Sequence, residues 1–216
     1  MPIIANCIKL DGAEPDENVI AAAAHQLVSG KVGIIPTRCL YGLGTNAFDL
    51  KAIRRIFSIK KRPTENPLLV LVEGIEQVEE LAVSISPLAR RLMARFWPGK
   101  VTFLLNARPG MPQGLVGKDN KVGVRLPGHP VTAALVKHAG VPITGTSANV
   151  SGCPACSCMD QIDPAVLHQV DLAINAGQLQ GGIGSSIIDA TLPIPRMLRR
   201  GALDEKKFRE ELTKLQ

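Results

Sequence analysis

The fold of this chain is decided in residues 18–36, which read NVIAAAAHQLVSGKVGIIP. The alanine-rich residues 18–29 predict a helix, and Gly30 stands where the end of a helix favours glycine. Residues 31–36 follow at once and have the apolar, β-branched content of a strand. A helix that leads directly into a strand is typical of α/β proteins, so this stretch predicts that class.

The same alternation continues along the rest of the chain. Asp49 is a predicted N-cap for a helix that contains Ile53, Ile56 and Phe57, and Ser86 with Pro87 opens another helix that reaches about Phe96. Further helices are predicted at residues 130–138 and 204–215. Strands are predicted at residues 68–72, 101–105, 121–126, 141–144, 172–174 and 186–189. With no repeat and no linker, we expect a single layered α/β domain over residues 1–216.

The amino-acid composition limits the classes of function that fit this chain. The 216 residues are 45% hydrophobic but only 3% aromatic, with one Trp and one Tyr. The net charge of +6 and a pI near 9.2 attract anions such as nucleotide or nucleic-acid phosphates, although RNA-binding modules usually add aromatic stacking platforms. Neither a leader in residues 1–10 nor a membrane span is predicted, and an odd cysteine count argues against disulfides. We therefore expect a cytoplasmic protein.

Four segments place small, hydroxylated and cationic residues at the ends of predicted strands, where ligands of α/β sheets gather. They are PTRCLYGL at residues 36–43, KKRP at residues 60–63, TSAN at residues 146–149 and GSSIID at residues 184–189. Four more segments accompany them: FWPG at residues 96–99 with Thr102, VGVRLP at residues 122–127, SGCP at residues 151–154 and LRRG at residues 198–201.

Taken in this order, the segments resemble the YrdC-like family, from about Asn18 to Ala202. The resemblance implies a twisted mixed sheet flanked by helices, with a concave basic pocket. It also implies an enzyme that joins ATP, bicarbonate and L-threonine into threonylcarbamoyl-adenylate for modification of the tRNA adenosine next to the anticodon. Mg²⁺ would accompany ATP, and threonylcarbamoyl transferases would be downstream partners. Because no long extension follows Gln216, we expect the short form.

The resemblance also implies the site residues. Lys60 and Arg62 correspond to the KxR pair at the reaction centre, and Ser147 with Asn149 to the nucleotide-binding SxN. Arg125 and Ser185 resemble the family's contacts to the threonine carboxylate, and Thr37 and Tyr41 resemble residues of the pocket wall around the amino acid. Apart from the resemblance, the positive charges of Lys60, Arg62 and Arg199 can bind a triphosphate.

The residue chemistry is compatible with this assignment. A Walker P-loop is absent, so cationic side chains would have to hold the triphosphate, with Arg suited to bidentate contacts. We find no nucleophile or histidine base, and the proposed reaction needs neither, because the attacking carboxylate is already ionised at neutral pH. Positioning and charge neutralisation suffice.

Structural interpretations of the same residues stay open at this point. Residues 60–62 could be a solvated charge run, and Arg125 could project from an edge strand. Ser147 and Asn149 could be turn residues that bond their own backbone, and Ser185 could be similar. Thr37 and Tyr41 could simply pack and cap a strand end.

Three further observations leave alternatives open. Cys153, Cys156 and Cys158 form CxxCxC, which could seed a metal site but lacks a fourth ligand. Arg38 occupies a position that is usually acidic in the resembled family, which raises the question of the exact substrate. A basic RNA-binding or ribosome-associated protein without synthase activity, or a relative that processes another small acid, remain alternative functions.

Overall fold

A computed structural model describes residues 7–215. Residues 1–6, which belong to the N-terminal stretch considered for a leader, lie outside the described residues, as does Gln216. The helices are Glu17–Val28 (α1), Leu50–Lys60 (α2), Ile75–Leu81 (α3), Pro87–Phe96 (α4), Pro130–Ala139 (α5), Pro164–Leu167 (α6) and Glu205–Leu215 (α7). The strands are Cys7–Lys9 (β1), Gly33–Pro36 (β2), Tyr41–Gly44 (β3), Leu69–Leu71 (β4), Val101–Asn106 (β5), Lys121–Arg125 (β6), Ile143–Ser147 (β7), Leu172–Asn175 (β8), Ser186–Asp189 (β9) and Arg196–Arg199 (β10).

The strands form one mixed sheet in the order β1-β8-β2-β3-β7-β4-β6-β5-β9-β10. Four pairs are parallel, namely β1 with β8, β2 with β8, β4 with β6 and β5 with β9, and the remaining pairs are antiparallel. The α/β class and the mixed sheet flanked by helices are confirmed. Within residues 7–215, no helix has the length and apolar character needed to cross a membrane.

Successive strand residues enter opposite sides of the sheet, as a pleated strand requires. Ile34 and Val70 belong to one buried cluster, whereas their neighbours Ile35 and Leu71 belong to a second. The first cluster contains residues of α2, α3, α4, α6 and α7, and the second contains residues of α1 and α5. Helices therefore cover both faces, but within residues 7–215 only α1 and α5 cover the second face.

Local signals fix most element boundaries. The Asp49 carboxylate accepts hydrogen bonds from the backbone N–H groups of Lys51 and Ala52, so the predicted N-cap of α2 is confirmed. Ser86 caps α4 in the same way, and Gly140 closes α5 with a left-handed φ of 63°.

Candidate functional site

A cavity of about 890 Å³ opens on the sheet face that α1 and α5 leave partly uncovered. Residues of five strands, β4, β5, β6, β7 and β9, form its floor. They are Leu69, Leu71, Thr102, Leu104, Lys121, Gly123, Arg125, Gly145, Ser147 and Ile187. The loops after β2, α2 and β10 supply further lining residues. The cavity thus combines an apolar floor with a polar and cationic wall, a usual combination for small-molecule sites.

Strand β6 shows how the sheet directs side chains into this cavity. Lys121, Gly123 and Arg125 alternate along β6 and line the cavity, while Val122 and Val124 enter the core on the other face. The strand pairs with β4 on one side and β5 on the other. The edge-strand interpretation of Arg125 is therefore wrong, because β6 lies inside the sheet.

Five arginines line the cavity, and one of them, Arg200, is ion-paired with Glu205 at 2.6 Å. The other four are Arg38, Arg62, Arg125 and Arg199. Among residues 7–215, none of the four is ion-paired with a carboxylate. The acidic side chains in the lining are Glu65 and Asp119, and both are exposed. Because like charges gathered in a partly buried cavity repel one another, this arrangement favours binding of an anion.

Backbone carbonyls hold two of these arginines in place. Arg62 donates from Nε to the Asn66 carbonyl at 2.8 Å and from Nη2 to the Pro67 carbonyl at 3.1 Å. Arg199 donates from Nη2 to the Ser185 carbonyl at 2.8 Å. Burial, and then the nearby charge of Arg199, lower the pKa of Arg62. The two guanidinium groups are therefore neighbours that keep unused N–H groups for a ligand.

Arg125 carries the least satisfied charge of the site. Its Nε is buried and has no hydrogen-bond partner among the described residues. Burial, opposed by Cys39 and reinforced by the charges of Arg38 and Arg199, lowers the pKa of Arg125 to about 10. A buried donor without a partner costs free energy, which an acceptor on a bound ligand would recover.

Lys60 is placed differently from the other cations. Its side chain is 1% exposed, so the solvated-run interpretation is wrong for this residue, although Lys61 is exposed. Lys60 Nζ donates to the Ser147 carbonyl at 2.5 Å, the Asn149 carbonyl at 2.8 Å and Asn149 Oδ1 at 3.0 Å. These bonds use the three N–H donors of an ammonium group, so Lys60 holds the loop after β7 from behind the cavity wall.

Ser147 and Asn149 also bond locally, as the turn interpretation expected. Ser147 Oγ donates to Asn149 Oδ1, and the Asn149 amide donates to the Cys153 carbonyl. Ser147 nevertheless lines the cavity, whereas Asn149 is 7% exposed and supports the loop together with Lys60. The predicted nucleotide contact of Asn149 stays a prediction.

Thr37 and Tyr41 both line the cavity but use their hydroxyls internally. Thr37 Oγ1 donates to the Leu40 carbonyl at 2.6 Å. The Tyr41 hydroxyl donates to the Gly177 carbonyl at 2.7 Å and accepts from the Ala176 N–H at 3.0 Å. Both residues therefore pack and cap locally and also shape the wall, and their predicted contact with threonine stays a prediction.

Ser185 lies at the entrance to β9, where its hydroxyl is buried and pairs with Thr102 Oγ1 at 2.8 Å. The chain after β10 lies directly over this point. A Cβ on Gly201 would come within 2.5 Å of the backbone of Ser185 and its neighbours, so glycine permits this close approach. The SSIID and LRRG segments, which are distant in sequence, therefore build one wall of the cavity.

Two features of the lining are not predicted from the sequence. Thr102 was noted only as part of a motif, although it bonds Ser185. Lys121 lines the cavity and is ion-paired with Asp189 at 2.8 Å, which fixes the start of β6 beside the end of β9. The alternation of Lys121, Gly123 and Arg125 was a usable signal, because it places all three on one face of a strand.

The CxxCxC cysteines do not form a recognisable metal centre. Within the described part of the chain, no group of three or more His, Cys, Asp or Glu side chains is arranged to hold a metal ion. Cys153, Cys156 and Cys158 have free thiols, and burial raises the pKa of Cys156.

Comparisons with known proteins agree with this geometry. The Sua5/YciO/YrdC family model, described as "Telomere recombination", matches residues 25–201. A threonylcarbamoyl-AMP synthase of Pyrococcus abyssi is 36% identical over 188 residues, which cover 87% of this chain and 55% of that protein. The chain thus spans only about half the length of that curated relative.

Solved structures give the same result. P. abyssi Sua5 complexed with L-threonine has a TM-score of 0.89 and 34% identity, and the match covers 95% of this chain and 60% of that one. E. coli YciO has a TM-score of 0.84 and 28% identity, and the match covers 94% of this chain and 98% of that one.

Proposed function

Because the chain belongs to the Sua5/YciO/YrdC family, we propose that it condenses ATP, bicarbonate and L-threonine into threonylcarbamoyl-adenylate and pyrophosphate. The proposal is carried by one observation: four guanidinium groups that have no carboxylate partner among the described residues lie in one cavity, beside the hydroxyls of Ser147 and Ser185. Such a site suits a substrate set with several anionic groups.

The first chemical step joins the threonine amine to bicarbonate. The ammonium loses a proton, the nitrogen bonds to the bicarbonate carbon, and water leaves, which gives an N-carboxylate and one released proton. Arg125, with its unsatisfied Nε, would hold the threonine carboxylate. Thr37 and Tyr41, whose hydroxyls are already bonded, would limit the space for the side chain.

The second step transfers the adenylyl group. An oxygen of the N-carboxylate attacks the α-phosphorus, the bond to the β-phosphate oxygen breaks, and pyrophosphate leaves with the bonding electrons. Arg62 and Arg199 would stabilise the charge on the triphosphate, and the Ser147 hydroxyl would turn from Asn149 Oδ1 to donate its one hydrogen bond to a phosphate oxygen. Positioning supplies most of the catalysis, because no proton has to leave the nucleophile.

Mg²⁺ would enter with ATP as part of the substrate. It needs few protein ligands when phosphate oxygens and water complete its octahedron. The exposed carboxylates of Glu65 and Asp119 are the acidic groups of the lining that fit a water-mediated contact.

The product is a mixed anhydride, which we propose is passed to a threonylcarbamoyl transferase that modifies tRNA. A purely RNA-binding role is less well supported. Trp97, which could offer a stacking surface, packs edge-on against the buried Phe103 at 5.6 Å between ring centroids. The cations moreover line a cavity that suits small molecules better than a duplex.

An omission assay tests the proposed function. The purified protein is incubated with MgATP, bicarbonate and L-threonine, and pyrophosphate release is measured with each component left out in turn. We expect release only from the complete mixture, with threonylcarbamoyl-adenylate as the second product by mass spectrometry. Release that persists without threonine or without bicarbonate would exclude the proposal.

A further inference from the structure

Arg38 is the one arginine without a carboxylate partner in the described lining that the proposed reaction does not yet use. It lies in the loop between β2 and β3, is partly buried and lines the cavity. Its Nη1 points to Cys39 Sγ at 3.7 Å, which is a weak contact for a guanidinium group. Among residues 7–215, no carboxylate is ion-paired with it.

The surrounding backbone fixes where Arg38 lies. Its Cδ would be 3.0 Å from a Cβ on Gly99, and Gly99 donates from its N–H to the Leu126 carbonyl at 2.9 Å. Leu126 follows Arg125 directly, so the stem of Arg38 runs past the end of β6. The absence of a side chain at Gly99 makes this path possible.

The backbone contacts separate the arginines into two groups. The stem of Arg38 passes the end of β6 that carries Arg125, so these two residues are neighbours, and the charge of Arg38 contributes to the lowered pKa of Arg125. Arg62 is held instead by carbonyls of the loop before β4, and Arg199 by the Ser185 carbonyl. A triphosphate held by Arg62 and Arg199 would leave the first pair free.

Two adjacent cations of this kind match a ligand with two carboxylates. Threonine alone has one carboxylate and a cationic amine, which a second guanidinium group would repel. After reaction with bicarbonate, the nitrogen is uncharged and carries a new carboxylate, so the intermediate is a dicarboxylate. We propose that Arg38 and Arg125 form a clamp for the N-carboxylated threonine, with Arg125 on the α-carboxylate and Arg38 on the new carboxylate.

The clamp rests on the proposed function, and it would also keep the N-carboxylated threonine intact until it reacts with ATP. An N-carboxylate loses carbon dioxide when its nitrogen is protonated. A guanidinium group bonded to the carboxylate stabilises the anion and opposes that loss. One oxygen can bond Arg38 while the other faces the α-phosphorus.

The test is a set of Michaelis constants for Arg38→Gln, measured by pyrophosphate release. We expect the KM for bicarbonate to rise about tenfold or more, in line with loss of one charge-assisted hydrogen-bonding group, while the KM for ATP stays within about twofold. Arg54→Gln is the matched control, because Arg54 is exposed on α2 away from the cavity and its loss changes the net charge equally. An unchanged KM for bicarbonate, or a rise confined to the KM for ATP, would overturn the clamp.

A binding measurement avoids dependence on turnover. N-oxalyl-L-threonine, whose amide nitrogen is uncharged and carries a group with a second carboxylate, should bind the wild-type protein more tightly than L-threonine in calorimetry. Arg38→Gln should remove that advantage. Equal affinity for the two compounds in the wild type would contradict the clamp, as would faster turnover with L-aspartate than with L-threonine. If no amino acid supports release, the proposed function itself fails.

Discussion

Lys60 shows how burial changes the meaning of a conspicuous basic residue. The sequence presents it as the first of three consecutive cations, whereas the structure uses all its donors on Ser147 and Asn149. Its influence on the site therefore passes through the conformation of the loop that carries Ser147. We interpret it as a positioning residue, and the predicted contact with ATP remains to be tested.

This arrangement predicts opposite pH effects on stability and activity. Burial, then Arg62, lowers the pKa of Lys60 from 10.5 to about 8, so the unfolded chain binds the proton more tightly than the folded protein. The free energy of unfolding should therefore rise between about pH 8 and pH 10.5, by at most about 3 kcal/mol. Pyrophosphate release should instead fall through about pH 8, because a neutral amine has only two N–H donors for three acceptors.

Lys60→Met supplies the comparison for both measurements. The free energy of unfolding of this variant should be about 2 to 4 kcal/mol lower than that of the wild type at pH 7, because buried acceptors are left unsatisfied. The variant should also lack the rise in stability above pH 8. Urea unfolding across this pH range measures the effect. A wild-type activity profile that is flat from pH 7 to 9.5, or a rise in stability that Lys60→Met retains, would disprove the positioning role.

The sequence predicts the position of a side chain correctly where the alternation along a strand determines which face of the sheet the side chain occupies. Arg125 could be placed beside Lys121 by alternation along β6, and both line the cavity. Lys60 could not be placed in this way, because its partners lie 87 to 89 positions away along the chain. Only the folded chain shows which end of the loop after β7 the ammonium reaches.

Among the elements, α7 depends on a contact that pH can weaken. Glu211 of α7 accepts from Arg95 Nε of α4 at 2.6 Å and from Lys214 Nζ at 3.0 Å, beside the ring pair of Phe96 and Phe208. Chiefly the hydrogen bond from Arg95 lowers the pKa of Glu211 to about 2. Since the folded pKa lies below its ordinary 4.5, the contribution is present above about pH 4.5 and is lost as pH falls towards 2.

We therefore expect Glu211→Gln to lower the free energy of unfolding at pH 7, with the deficit relative to wild type shrinking between pH 4.5 and pH 2. Glu210→Gln is the control, because Glu210 is the exposed neighbour on the same helix. Urea titrations at pH 7, 5, 4 and 3 provide the measurement. A deficit that is constant over this range would mean that the ionised carboxylate of Glu211 does not stabilise the helix contact.

The elements found from sequence are those with strong caps or long apolar runs. Strand β9 has the predicted bounds, and α4 begins and ends as predicted. Strand β3 was missed because Gly42 and Gly44 weaken its pattern, yet a Cβ on Gly42 would come within 2.8 Å of the Thr146 carbonyl oxygen. Strand β10 was missed because its side chains are mostly exposed, which removes the apolar signal.

At the scale of the whole molecule, the cavity exists because helices cover the two sheet faces unequally. Of the seven helices in residues 7–215, the sequence predicts five and misses the short helices α3 and α6. It does not predict where each helix packs, because packing depends on contacts between distant segments. Helices α1 and α5 pack together over one part of the second face, so the part made by β4, β6, β5 and β9 stays open. The sequence motifs identify many of the residues that line the cavity, whereas the packing of the helices on the sheet determines its depth.

Because the cavity contains arginines without carboxylate partners among the described residues, a bound anion should raise the free energy of unfolding of the whole protein. A ligand present at about 100 times its Kd adds about 2.7 kcal/mol. For a chain of this size, that free energy corresponds to a rise in Tm of about 5 to 11 °C. MgATP should produce such a rise in differential scanning fluorimetry, and the rise should shrink between 50 mM and 500 mM NaCl because salt screens the charges.

Two comparisons connect that shift to the cavity and not to the overall charge of +6. Arg62→Gln should reduce the shift, whereas Arg54→Gln, with the same net charge, should preserve it. Adenosine has the base and ribose but no phosphate, so it should stabilise the protein far less than MgATP does. Equal shifts with adenosine and MgATP would mean that the apolar floor, and not the guanidinium groups, provides the binding free energy.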